Sequence, residues 1–532
     1  MSIQSIAGIG QVCSASINPA RVEEGVYFYE TPKLGMTLYR NQAKTTPFGA
    51  GFYALKFGGK TYKVQTDSQG VVTVFDGECN FSTTQPKRFI AYMPLNDWQI
   101  LQNLQLYKDQ MNEMVDEGGV NFLCLTFQLS YLFQSWDQLN SGTSAVWGLY
   151  DQVVDLANSK NLPVGFRVHM AVDDNYVPNF YGFANSEKDE WGFEQRVYYG
   201  DNTPSFAYAP GVNMIQTFLR KIMDRYYPVL GNKLYYVSPT LIGSQEFGGN
   251  MFNQQYPDPQ YFALFDYNEL NQADFRNRMQ TKYGTMQNLK DNWGPVSHGW
   301  NDWSEIQVPK TGLTNRFSSN LAAIRGMMSQ KRGRDWWLHQ YNKKKEFFIQ
   351  CKNIVQSYNS NILTIAEYGS CNREDVILRL SFNVPDICTY ADVVKTDFSS
   401  MTVNPVGPSI SADYINSLST KPKWSEIADF DASNVETTRS YIRSAFDNGL
   451  VFGAFIISKN PEKLNEWTAY KQLVREIGDE YKNKDTTPIN WEGTVNTTMS
   501  ECLSNWPAVE QRWRDAGGSP SKHVRIILTN DL

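Results

Sequence analysis

The residues best equipped for chemistry in this sequence are carboxylates that close apolar runs. Glu246 follows Gln245 and precedes Phe247, Gly248 and Gly249, while Glu426 stands between Ser425 and Ile427. Glu367 follows Ala366, and Asp397 closes the run 392–397. Arg167 and His169 alternate within a further run, so on an extended chain they share a face. The set is rich in carboxylates and poor in histidine, of which the chain has four. It contains no Gly-x-Ser-x-Gly elbow. Two carboxylates without a metal suit chemistry at an acetal carbon, where one protonates the leaving oxygen and the other attacks or activates water. Apolar neighbours suit Glu246 to the acid role, because burial raises the proton affinity of a carboxyl group. Glu426, near donors such as Tyr or Arg, would stay ionised and nucleophilic. Taken singly, each Glu reads more readily as a structural acceptor; their pairing carries the argument. Glu367 is the rival nucleophile, and Asp397 an orienting group.

Positioning such groups requires converging strand ends. Eight apolar runs supply candidates, at 88–93, 120–127, 164–169, 234–238, 362–366, 392–397, 423–427 and 450–457. Most are separated by helical pattern, as at 98–117, 147–159 and 435–448. Strand-then-helix repetition of this kind predicts a (β/α)8 TIM barrel of the α/β class, with its active face at the strand C-termini. A doubly wound sheet would be expected to carry a Gly-rich phosphate loop after an early strand, and there is none. Glu246 and Glu426 then fall at the mouths of strands four and seven. The long segment after strand four, rich in aromatics, reads as a loop insertion at the active face. Residues 1–85 read as a small β-rich domain with Gly turns between β-favouring runs, 86–470 as the barrel, and 471–532 as a C-terminal extension ending in a strand at 523–529.

Composition narrows the partners. The 532 residues carry a net charge of −6 with no basic stripe, which argues against nucleic acid. The densest basic cluster, Lys343 to Lys345, reads as a solvated helix face. No run approaches 18 apolar residues, so no membrane span is expected. The start of the chain lacks a signal-peptide pattern, and compartment stays open. Seven scattered cysteines and four histidines offer no metal-ligand spacing, so neither metal nor cofactor is expected. Aromatic residues make up 14% of the chain, enough for sugar-stacking platforms as well as a core.

A local motif adds a resemblance. The segment 275–294 contains Lys282-Tyr283-Gly284 and, further on, Leu289 and Trp293-Gly294, with Trp300 and Trp303 beyond. It resembles the clan A glycoside hydrolases, and among them the family 42 β-galactosidases, over residues 86–460. The resemblance implies a retaining hydrolase of β-linked glycosides, with Glu246 as acid/base and Glu426 as nucleophile, acting on an oligosaccharide or polysaccharide. Gln245, Arg167, His169, Glu367, Asp397 and the three tryptophans become candidate substrate contacts. Lys282-Tyr283-Gly284 also reads as a plain helix C-cap, and the tryptophans as a cover for the barrel top. Family members carry Asn where this chain has Gln245, and their usual nucleophile-strand sequence and cysteine-ligated zinc cluster have no counterpart. Those departures keep two other readings open: a non-catalytic carbohydrate-binding barrel, and a transglycosidase using the same two residues.

Overall fold

The computed structural model describes residues 51–57, 60–66, 68–69, 71–78, 88–94, 99–173, 180–194, 201–240, 252–253, 261–370, 383–397, 410–427, 434–486, 488–519 and 522–532. Contacts divide the chain into two units, Met1–Gln85 and Pro86–Leu532. In the first, strands Gly51–Phe57, Lys60–Thr66 and Val72–Glu78 form an antiparallel sheet in chain order. Phe57 pairs with Lys60 at the end of the ladder between the first two strands.

The second unit is built on a closed barrel of eight parallel strands. They are β1 (Phe89–Met93), β2 (Phe122–Gln128), β3 (Val164–His169) and β4 (Leu234–Thr240). The circle continues through β5 (Leu363–Ser370), β6 (Val393–Asp397), β7 (Lys423–Ile427) and β8 (Leu450–Ile456), and β8 pairs with β1. Each expected apolar run is one of these strands. Parallel strands covered on both faces read as continuous apolar sequence, and these are buried on both faces.

Alternation within each strand separates two cores. Outward residues such as Ile90, Tyr92, Leu123, Leu125, Phe166 and Val237 pack with the helices. Those helices include α1 (Leu104–Asp116), α2 (Trp147–Ser159) and α3 (Ala209–Leu230). Inward residues form a separate cluster that fills the barrel, including Phe89, Phe122, Tyr236, Ile365, Val393, Trp424 and Phe452. Trp424 stacks on Phe452 with ring centroids 4.1 Å apart. Gly165 is part of this packing: a Cβ there would lie 2.0 Å from the Tyr236 ring. The barrel floor is therefore an aromatic plug, not a pore.

Between β4 and β5 lies the long insertion, with helices α4 (Glu269–Tyr283), α5 (Met286–Trp293), α6 (Leu321–Met328) and α7 (Lys331–Tyr358). After β6 comes α8 (Ile410–Leu418), and after β7 comes α9 (Val435–Asp447). Helix α10 (Leu464–Tyr481) crosses residue 470. Beyond it, β9 (Trp491–Thr498) and β10 (His523–Thr529) pair in parallel, joined through α11 (Met499–Ser504) and α12 (Trp506–Asp515). This βαβ element is tied to α8 through the buried Asp413. Its carboxylate accepts from Trp513 Nε1 at 2.8 Å and Val524 N at 2.8 Å, and it meets His523 Nδ1 at 2.6 Å.

Candidate active site

The site begins where the aromatic plug ends. Residues i and i+2 on a strand share a face, so the next inward position lies two residues toward the strand C-terminus. Past Gly165, Tyr236, Ile365, Val393 and Trp424, those positions on β3 to β7 are Arg167, Ser238, Glu367, Lys395 and Glu426. On β8, β1 and β2 they are the small residues Ala454, Ala91 and Cys124. Five successive strands thus turn one rung of the barrel polar, and the three remaining strands leave it room.

The polar rung is a closed charge network. Lys395 Nζ donates to Glu367 Oε1 and to Glu426 Oε1, each at 2.6 Å. The Arg167 guanidinium pairs with the same two oxygens. Ser238 Oγ donates to Glu367 Oε2 at 2.7 Å. Among the described residues two cations face two carboxylates, and their formal charges cancel. That balance is needed, because Arg167, Glu367 and Lys395 are at most 3% exposed and an unpaired charge there would be prohibitive. Burial alone would raise the Glu367 carboxyl; Arg167, Lys395 and Ser238 outweigh it and hold the group down at about 2. Burial lowers the Lys395 ammonium, against the pull of Glu367. Burial likewise pushes the Cys124 thiol up to about 11, and Tyr236 O–H donates to its Sγ at 3.1 Å.

The two acids differ in access. The Glu367 side chain is 2% exposed and both its oxygens are engaged. The Glu426 side chain is 12% exposed, and among the described residues its contacts fall on Oε1. One rung further on, His169 is fully buried, with Nδ1 3.2 Å from Thr240 Oγ1. Arg167, Glu367 and Glu426, singled out from the sequence, thus meet in one cluster. Asp397 pairs in register with Glu426, and only its backbone is described. Gln245 and Glu246 lie outside the described residues.

Lys395 escaped the sequence reading. Its signal was alternation: Val393, Lys395 and Asp397 share one face of a short buried strand, which places a charge inside the barrel. Among the described residues, no three His, Cys, Asp or Glu side chains are grouped closely enough to hold a metal ion.

The tryptophans occupy a different place. Trp293 Nε1 donates to Asp335 Oδ2 at 2.7 Å, and its ring stacks on Phe275 and meets Tyr283 and Trp300 edge-on. Tyr283 O–H and Lys282 Nζ also donate to Asp335, at 2.5 and 2.8 Å. Gly284 then ends α4 with φ +71°, as a helix C-cap. The segment that suggested the resemblance therefore knits α4 and α5 to α7 through one buried carboxylate. Trp300 and Trp303 pack half-buried against the same core, and Arg332 lies 5.9 Å from the Trp300 ring.

With this geometry in view, the family model described as β-galactosidase, glycoside hydrolase family 42, matches residues 260–438. The chain is distantly similar to that family. Gan42B, a family 42 β-galactosidase from G. stearothermophilus, superposes with a TM-score of 0.59 at 14% identity, over 84% of this chain and 66% of that one. The β-galactosidase of Bacillus circulans sp. alkalophilus gives 0.58 at 13% identity, again over 84% and 66%. The β-amylase catalytic domain from Paenibacillus polymyxa gives 0.52 at 12% identity, over 73% of this chain and 99% of that one. The chain thus spans about two thirds of the length of the β-galactosidases it matches. Comparison with curated protein sequences returns no match. The structural likeness shows the barrel fold, and with the family match it supports a glycoside hydrolase of the β-glycosidase class.

Proposed function

We propose that the protein is a retaining hydrolase of β-linked glycosides, with β-galactosides as the first substrates to test. The observation that carries the reading is the unequal placing of two carboxylates in one charge network. Glu367 is sealed and fully engaged, whereas Glu426 reaches the same cations from a partly open position at the end of β7. A nucleophile must be charged and reachable, and the two cations against Glu426 Oε1 together with its partial exposure support that role.

In this mechanism the other oxygen of Glu426, Oε2, bonds to the anomeric carbon as the glycosidic C–O bond breaks. The bonding pair goes to the leaving oxygen, which takes a proton from the Glu246 carboxyl. Water then attacks the anomeric carbon and gives a proton to the Glu246 carboxylate. The ester bond to Glu426 breaks, and its electrons restore the carboxylate. Net retention follows from two inversions, and such enzymes hold their two carboxyl groups about 5–5.5 Å apart. Glu246 enters on the sequence argument and on its place after β4. The family match and the β-galactosidase neighbours favour galactosides as the probe.

The test is a screen of aryl β-glycosides, followed by Glu426→Gly on the best substrate. Turnover should fall by about a thousandfold or more, equivalent to ~4 kcal/mol of barrier. Azide should restore it and yield an α-glycosyl azide. Unimpaired turnover in Glu426→Gly would remove the assignment, and glycan binding without turnover in the wild-type protein would favour a non-catalytic barrel.

A further inference from the structure

We infer that Lys395 is a positioning residue for Glu426: its ammonium pins Oε1, keeps the carboxylate ionised, and leaves Oε2 as the attacking atom. The inference rests on the nucleophile reading given above, and deepens it. Its basis is the double contact, 2.6 Å to each acid, made by an ammonium that is 1% exposed. A lysine so placed costs a large desolvation penalty, which a structural salt bridge to Glu367 alone would not require a second acid to offset. Glu367 supplies the second half of the device. It is a permanent anion, so Lys395 and Arg167 are retained beneath Glu426 even when Glu426 is neutral.

That last condition matters for the reaction. When Glu426 becomes a glycosyl ester its negative charge disappears, and the rung must survive with two cations and one acid. Glu367 anchors both cations through that step. When the ester breaks, the returning charge on Glu426 meets donors already in place, with no reorganisation. The groups that face Lys395 from the packed elements are Glu367 on β5, Glu426 on β7, Arg167 on β3 and Cys124 on β2, with Tyr236 on β4 bonded to Cys124. Arg167 carries a second positive charge to the same oxygen. Replacing Lys395 therefore weakens the hold on Glu426 without abolishing it.

The experiment replaces Lys395 with Met, of similar length and no charge, and with Arg. The dependence of kcat/KM on pH is measured on the best aryl β-glycoside. In K395M the acidic limb should move up by roughly 1–3 pH units, the range for losing one close opposite charge. K395R should move it back toward wild type. An acidic limb left in place in folded K395M would overturn the inference. If K395M does not fold, the double variant E367Q/K395M removes one charge of each sign, and its limb should move in the same direction. Carboxyl-13C NMR titration, with the Glu426 signal assigned from E426Q, gives a readout independent of turnover. An upward shift of that signal in the variant supports the coupling, and none refutes it. Azide rescue of Glu426→Gly separates the two claims, because rescue combined with an unmoved limb in K395M would keep the nucleophile and discard the role of Lys395.

Discussion

Two buried clusters in the barrel unit each hold a pair of acids, and they resolve the problem in opposite ways. At the barrel mouth, Glu367 and Glu426 share two cations at close range. Where the β3–α3 connection meets the insertion, Glu187 and Asp266 are both 1% exposed, and Lys344 Nζ lies 3.8 Å from Glu187 Oε1. The first cluster holds the Glu367 carboxyl down at about 2. In the second, burial and then the charge of Glu187 push Asp266 up to about 7, and burial raises Glu187 despite Lys344. Burial is similar in both. The number and closeness of cations decide which acid is charged, so the mouth is built to keep carboxylates ionised and the inner cluster to keep a proton.

The largest test of that contrast removes the sealed anion. Glu367→Gln leaves Arg167 and Lys395 with Glu426 as their remaining acid partner, and breaking a buried pair from one side costs roughly 3–5 kcal/mol. Denaturant melts at neutral pH should show this loss. The pH dependence carries a sign. The native value of about 2 lies below the ordinary 4.5, so the stabilisation from ionised Glu367 is complete above about 4.5 and lost as pH falls toward 2. The window corresponds to about 3 kcal/mol. Wild-type stability should fall through it, and the variant should lack that component. Equal slopes in both proteins would mean that the network does not hold Glu367 ionised.

This contrast also explains what could be read before the fold was known. The eight strands were legible because two-sided burial writes continuous apolar runs into sequence. Arg167, Glu367 and Glu426 were legible because each lies in the C-terminal part of such a run or just past it, where a barrel gathers its side chains. Lys395 was not, since a lysine in a short strand reads first as a solvated edge. Its partners lie 28 and 31 positions away. The role of Trp293 was hidden for the same reason: its acceptor Asp335 is 42 residues further on. Strand β9 was missed because its sequence is largely polar and most of its residues are at least partly exposed. Its pairing with the expected terminal strand also spans two helices.

A middle-sized effect separates the catalytic mouth from its scaffold. Asp335 receives Tyr283, Trp293 and Lys282, and Asp335→Ala strands two buried donors, Tyr283 O–H and Trp293 N–H. A loss of about 2–4 kcal/mol is expected. Per folded molecule, KM and kcat on an aryl glycoside should stay near wild type, because the charged rung is untouched. A large rise in KM with normal stability would instead make Trp293 a sugar contact.

The last test sharpens the comparison from the other side. Asp266 Oδ1 accepts from Lys188 N at 3.1 Å and Asn268 N at 2.7 Å, which an Asn carbonyl can also do. Asp266→Asn therefore keeps the hydrogen bonds and deletes the titration. The native value of about 7 lies above the ordinary 3.8, so folding favours the protonated acid. Between about pH 4 and 7 the unfolded chain binds fewer protons at this site, and wild-type stability declines as pH rises. Asp266→Asn should match wild type near pH 4 and gain on it steadily to pH 7, by on the order of 4 kcal/mol, then hold level. Glu367 titrates alike in wild type and in Asp266→Asn, so the difference between them reads the inner cluster alone. A difference that stayed flat across pH 4–8 would show that Lys344 neutralises the inner acids as fully as Lys395 and Arg167 do at the mouth, and the contrast between the clusters would fail.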